Sequence, residues 1–280
     1  MRGKVELHTH SSVSDGSLSP SELVELAKEK KIEVLALTDH DTSDGIIEAK
    51  KKAKEVGITF VPGIEISTGN NNEIHILGYF FEDGYIKLND YLDYLKKNRN
   101  NRNYLMIEKL QKEGVDISIE DILEVSEEGS IGRAHFAYVL MKKGYVKNVD
   151  EAFEKYVGLN GVAYIKKESL NISDTIEKIN GAGGVAVFAH PGYLNLSSDE
   201  YRKLFRELKE SGLEGVEVYY PSHSKEQREM FLEIARDNDL IVTGGSDFHG
   251  AIRPEIEIGM EDVPYKCYED ILYRLEMRGK

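Results

Sequence analysis

The stretch VELHTHSSVSDG (residues 5–16) ends a strand-like run with two histidines at i and i+2, His8 and His10, and follows them with Asp15 beside Gly16. Side chains two apart on a strand project from the same face, so the pair addresses one point. Alone, the fragment fits either a core histidine beside an exposed one or two ligands of one ion, and the rest of the chain has to decide.

Downstream, short apolar runs alternate with helical patterns. A helix opens at SPSELVELAKEKK, with Ser19 as N-cap, Pro20 at the first helical position and Glu22 completing a capping box. IEVLALTDH, SDGIIEAKKKAKEVG and ITFVPGIEIS continue the rhythm, and EIHILGYF reads as a neighbouring strand. Such alternation predicts a parallel, helix-covered sheet. Residues 85–167 break it, reading as helices from the long YLDYLKKNRNNRNYLMIEKLQKEG onward, and strand–helix alternation then resumes. The expected organisation is an α/β barrel or related layered sheet in two parts, 1–84 and 168–280, with 85–167 as an inserted helical subdomain. The glycine cluster at 181–184 precedes a strand, and so ends a helix rather than cradling phosphate.

With 36 basic and 50 acidic residues among 280, the net charge of −14 excludes a broad basic surface for duplex DNA. It leaves room for an anionic substrate, because bound cations invert a local field. No apolar run approaches the roughly 20 residues of a membrane span, and the chain enters a strand-like segment at once, without a visible signal peptide. The expectation is a soluble cytoplasmic protein with neither membrane nor obligate protein partner. Cys267 is the single cysteine and has no thiolate partner for a disulfide or a metal site.

Ionisable residues gather at the ends of the strand-like runs: His8 and His10, Asp39 and His40, Glu65, His190, then Asp247 and His249, with His75 inside its own run. In a parallel α/β barrel those ends converge on one rim. Imidazole with carboxylate and no thiolate suits zinc, manganese or iron. The donors are too many for one ion, so two or three divalent ions with a bridging carboxylate are expected, able to clamp a phosphoryl group's oxygens.

HTHSSVSDG, TDHDT, GIEIS, HILGYF, FAHPG and GGSDFHG, in this order, resemble the motifs of the PHP (polymerase and histidinol phosphatase) superfamily over essentially the whole chain. The resemblance implies a distorted (βα)7 barrel with a trinuclear metal centre. Carried over by position, it puts His8, His10, Glu65 and Asp247 on one ion, Glu65 as the bridge to a second held by His75 and His190, and Asp15, His40 and His249 on the third. GSIGRAHFAYVLMKKGYV and AFEKYVGLNGVAYIKKE are similar to the branch acting on 3′,5′-nucleotide bisphosphates and on short RNA from its 5′ end, as is VEVYYPSHSKEQ.

That branch implies a phosphoesterase removing the 3′-phosphate of a bisphosphate such as pAp, with trimming of short 5′-phosphorylated RNA as a linked variant. A metal-bridging hydroxide held by Glu65 would attack phosphorus in line. His223 is a candidate acid or substrate contact, against an exposed loop histidine. Asp39 is read as orienting a ligand histidine or capping the next helix. Arg133 is expected to fork onto a substrate phosphate, with His135 on the same face and Lys166 as a weaker contact. Tyr164 stacks on a base or packs, and Arg99 and Arg102 read as a solvated face. Histidinol phosphate or another small phosphomonoester is the competing substrate. A noncatalytic, metal-stabilised nucleotide-binding module is the reading of another class.

Overall fold

The computed structural model describes residues 3–68, 74–126, 131–165 and 171–278. Seven strands form one sheet in chain order: β1 Lys4–Glu6, β2 Ile32–Leu37, β3 Thr59–Thr68, β4 Ile74–Tyr79, β5 Val185–Phe188, β6 Gly215–Tyr219 and β7 Ile241–Gly244. The helices are α1 Pro20–Glu29, α2 Ile46–Val56, α3 Asn89–Lys112, α4 Ile119–Ser126, α5 Arg133–Lys142, α6 Val149–Ala152, α7 Ile172–Gly181, α8 Ser198–Glu210, α9 Lys225–Asp237 and α10 Tyr265–Arg278. None of the described helices is long and apolar enough to cross a membrane.

The sheet closes on itself beyond the formal strand ends. Thr9 bridges Phe248 in parallel, Asp247 N–H donates to His8 O, and His10 N–H donates to Phe248 O, both at 2.9 Å. Gly245 lies in this seam, where a Cβ would fall 2.5 Å from the His8 nitrogen. The result is a seven-stranded barrel of mixed direction. β1–β3 and β5–β7 are parallel sets, but β4 pairs antiparallel with both β3 and β5. The parallel expectation fails at this strand, because β3 ends at Thr68 and β4 begins at Ile74, a separation too short for the crossover that parallel pairing needs.

Residues alternate between two buried faces, which explains the nearly continuous apolar strand runs. Val34, Ala36, Val185 and Val187 face inward with Leu7 and Tyr79, and Cys267, Ile271 and Leu275 of α10 pack against that cluster. Leu35 and Leu37 face α1 and α2, while Ala186 and Phe188 join the cluster under α7, α8 and α9. Ser19 and Glu22 form the capping box at α1. The 181–184 glycines end α7, with Gly183 at φ +85°.

Residues between β4 and α7 carry a separate apolar cluster that includes Met106, Ile107 and Leu110 of α3, Ile122 of α4, and Phe136, Val139 and Leu140 of α5. α3 belongs to both regions: its first turns place Leu92 and Leu95 in the barrel's outer cluster, and its last turns build this second one.

Candidate metal centre

The barrel rim collects six imidazoles and three carboxylates. His8 and His10 extend β1, Asp15 closes the loop after them, His40 follows β2, and Glu65 lies in β3. His190 follows β5, and Asp247 and His249 follow β7. His75 reaches the same rim because β4 is reversed: its start, not its end, lies beside the end of β3, with His75 paired to Ser67. His190 and Asp247 take left-handed backbone at φ +30° and +55°, a conformation that costs a non-glycine residue about 1–2 kcal/mol and is held where the surroundings impose it.

Glu65 is the hub. It is fully buried, and its Oε1 lies 2.9 Å from His75 Nδ1 and 3.0 Å from His190 Nε2. Its Oε2 lies 3.0 Å from His40 Nδ1, 3.2 Å from His10 Nε2 and 3.4 Å from His8 Nε2. Asp247 Oδ1 stands 3.1 Å from His10 Nε2 and 3.4 Å from His8 Nε2. Asp15 lies 3.3 Å from His249 Nε2 and 3.7 Å from His40 Nε2. Donor atoms within 4.8 Å of one another define three sets: His8, His10, Glu65 and Asp247; His10, Asp15, His40 and His249; and His40, Glu65 and His75.

These residues fit divalent cations. His8 Nε2, His10 Nε2, His40 Nδ1 and Glu65 Oε2 are buried with no hydrogen-bond partner among the described residues, and such an atom costs about 1–3 kcal/mol unless something satisfies it. Two ligands about 2.1 Å from one tetrahedral ion lie about 3.4 Å apart, which matches the His8, His10, Glu65 and Asp247 separations. His10 also borders the Asp15 set and His40 the Glu65–His75 set, so the three groups share walls more closely than the position-by-position allocation implies.

The outer contacts fix which atoms face inward. His8 Nδ1–H donates to Glu217 Oε1 at 2.9 Å, which turns its Nε2 to the cluster. The other Glu217 oxygen accepts the His190 N–H at 2.8 Å. His249 Nδ1–H donates to the Asp247 carbonyl at 2.8 Å. Asp247 Oδ2 accepts from Tyr220 Oη at 2.8 Å and Arg253 Nη1 at 2.9 Å. Glu6 accepts from Ser246 N–H and Oγ–H and from Gly259 N–H, tying β1 to the segment that carries Asp247. Glu6, Glu217, Tyr220 and Arg253 were not singled out in the sequence. The available signal was a glutamate buried in each of two apolar strands.

Burial opposes ionisation of Asp15, Glu65 and Asp247, yet the imidazoles around them, His40 for the first two and His8 for the third, hold all three carboxyls well below the usual range. Burial likewise resists charging His10, but the Asp247 and Glu65 carboxylates pull it up to about 10. His40, where burial dominates, falls to about 3. The carboxylates thus remain anionic at neutral pH, as ligands must be.

A cleft of about 910 Å³ opens over the cluster. His40, Glu65, His75, His190, Asp247 and His249 of the barrel rim line it, together with Arg133, Tyr138, Phe153 and Tyr164 from the stretch between β4 and α7. A smaller recess of about 150 Å³ places Arg102 and Arg133 beside Asp15, His40 and His75. Arg133 also stacks over Phe153, 5.5 Å from the ring centroid.

Other expectations change. His223 is neither an exposed loop residue nor a cleft contact. It is buried, its Nδ1–H donates to Val218 O at 2.9 Å and its Nε2 accepts the Gly192 N–H at 3.1 Å, so both nitrogens brace the loop after His190. His135 is buried and caps the start of α5 by accepting the Gly132 N–H at 3.0 Å, behind the wall that Arg133 forms. Arg99 is no solvated charge: it is buried against Asp41 and near Ser67. Asp39 does not cap α2, and it meets a ligand histidine only through Ser14, whose hydroxyl lies 2.6 Å from Asp39 Oδ1 and 3.5 Å from His10 Nδ1. Asp39 receives Ser11 N–H and the Ser11 and Ser14 hydroxyls, shaping the loop that carries Asp15. Lys166 lies outside the described residues.

The chain is 40% identical to a 5′-3′ exoribonuclease of Haemophilus influenzae over 89% of its own length and 91% of the other's. It is 32% identical to a 3′,5′-nucleoside bisphosphate phosphatase of Chromobacterium violaceum, over 94% and 93%. A solved structure from Bifidobacterium adolescentis, described as that of a metal-dependent phosphoesterase, superposes with a TM-score of 0.87 at 32% identity, covering 96% of each chain. The PHP domain model matches residues 6–210, and with the rim donors in place the chain belongs to the PHP domain family.

Proposed function

We propose that the protein is a cytoplasmic hydrolase of phosphoester bonds that removes the 3′-phosphate of nucleoside 3′,5′-bisphosphates, converting pAp to AMP, and trims short 5′-phosphorylated RNA. The observation that carries this reading is the cleft, which is lined both by six members of the donor cluster and by a guanidinium among aromatic rings. Its volume suits a mononucleotide. A 3′-phosphate at the cluster leaves the base among Tyr138, Phe153 and Tyr164, and the 5′-phosphate within reach of Arg133 and Arg102. Relatives named as an exoribonuclease and as a bisphosphate phosphatase both fit this placement.

Two or three divalent ions, of manganese, iron or zinc, would be held by His8, His10, Asp15, His40, Glu65, His75, His190, Asp247 and His249. When bound they supply charge neutralisation at the phosphate oxygens and a nucleophile at neutral pH. The chain's own residues do the rest. Glu217 holds His8 and the His190 backbone, Tyr220 and Arg253 hold Asp247, and Arg133 orients the substrate through its planar, forked donors.

The test is phosphate release from pAp with added manganese, beside 3′-AMP, which lacks the 5′-phosphate. AMP formation from pAp, with much slower turnover of 3′-AMP, is expected. Equal turnover of pAp, 3′-AMP and histidinol phosphate would reject the substrate while leaving the metal centre.

A further inference from the structure

The cleft has a second wall that a mononucleotide lying toward Arg133 does not use. It is built by the loops after β5 and β7, where Tyr193 and Arg253 face the opening. Tyr193 is 54% exposed, yet it is held in place. Its hydroxyl lies 2.8 Å from Tyr220 Oη and 3.5 Å from Arg253 Nη2. Its ring meets His190 edge-on at 5.1 Å between centroids. An exposed ring with its orientation already fixed is a ready stacking platform, because binding a flat partner costs little further ordering.

We propose that Tyr193 is the seat for the base of the first nucleotide downstream of the cleaved bond, which makes this wall an RNA subsite absent from mononucleotide turnover. This rests on the phosphoesterase reading above. The same bond breaks in both substrates. A water oxygen joins phosphorus, the P–O3′ bond opens, and its electron pair goes to O3′, which takes up the proton the water gives up. Phosphorus departs as inorganic phosphate from pAp, or as the new 5′-phosphate of the shortened strand. The downstream nucleoside is therefore a substituent of the attacked phosphate. With the upstream nucleotide toward Arg133, the wall left for it runs past His190 to Tyr193.

The experiment compares kcat/KM for pAp and for a 5′-phosphorylated RNA tetranucleotide, with manganese, in wild type, Tyr193→Ser and Tyr193→Phe. Anisotropy of the 3′-labelled strand under EDTA supplies a readout without turnover. For Tyr193→Ser, the RNA loss is expected to exceed the pAp loss by roughly 5- to 140-fold, equivalent to the about 1–3 kcal/mol of one base–aromatic stack. The strand's Kd should rise in parallel, and Tyr193→Phe should keep most of the ratio. Parallel losses on both substrates, or no change on RNA, overturn the subsite while leaving the phosphoesterase reading. A wild type inactive on both substrates overturns the two together.

Discussion

Replacing Glu217 by glutamine exchanges one atom at a site with no slack. The carboxylate is fully buried, and both of its partners, His8 Nδ1 and His190 N, are donors, at 2.9 and 2.8 Å. An amide offers one acceptor and one donor group, so one of the two contacts must become donor against donor. If the NH2 faces His8, the ring is relieved only by moving its proton to Nε2, the atom that stands 3.4 Å from both Glu65 and Asp247. A protonated nitrogen cannot be a ligand. If the NH2 faces His190 instead, a buried N–H is orphaned beside the left-handed turn that aims the His190 ring. Either arrangement costs about 1–3 kcal/mol. Where that cost falls on the metal-loaded state it weakens manganese binding by roughly 10- to 100-fold, the usual scale for an outer partner. Calorimetric titration of manganese into metal-free Glu217→Gln and wild type measures this, with the metal-free Tm of each separating ligation from folding. Wild-type manganese affinity and turnover in the glutamine variant would refute the assignment of His8 Nε2 as an inward-facing donor fixed from behind.

Arg133→Ala should lower kcat/KM on pAp by roughly 10- to 140-fold, the equivalent of about 1.5–3 kcal/mol for hydrogen bonds to a charged group, and scarcely change 3′-AMP; equal losses on both would remove Arg133 from the 5′-phosphate. Manganese at 1,000 times its Kd should stabilise the fold by about 4 kcal/mol and raise Tm on the order of 10 °C, an effect that chelation reverses; a melting curve indifferent to manganese would contradict the fit of the donor cluster. Gly245→Ala should loosen the seam between β1 and β7, since its new methyl would lie 2.5 Å from His8 atoms, and should lower both Tm and metal content; a wild-type variant would show that the seam gives freely. Burial pushes the Cys267 thiol up to about 12, so at pH 8 it should resist Ellman's reagent until denaturant is added, and prompt labelling of the native protein would place it at the surface.

Most of the rim was legible because a strand's end is marked twice, by the stop of an apolar run and by the polar residue that follows. His8, His10, His40, His190 and Asp247 all carry both marks. The direction of β4 was not, since a six-residue apolar strand reads alike either way and only its pairing registers the reversal. Glu217 was passed over because a glutamate alternating with valines ordinarily faces water. In a closed barrel the opposite face is the interior, where it meets His8. Arg99 misled for a related reason: its segment is polar on most sides, and burial comes from Asp41 and Ser67, more than thirty positions away. His223 occupied a loop after a strand, the place where catalytic groups gather, but its nitrogens were taken by backbone that no local pattern announces.

α3 has a mechanical consequence. Its 24 residues span about 36 Å, with Leu92 and Leu95 fixed in the barrel's flank, Arg99 pinned at the rim and Met106 to Leu110 anchoring the second cluster. The helix works as a mast that sets how high the Arg133 wall stands above the donors. Lengthening it beyond Arg99 by four residues would lift that wall by about 6 Å and turn it by only about 40°, whereas a single added residue would swing it by about 100°. Reach over the cluster is therefore adjustable in steps of about a turn while the donors beneath stay where the barrel holds them.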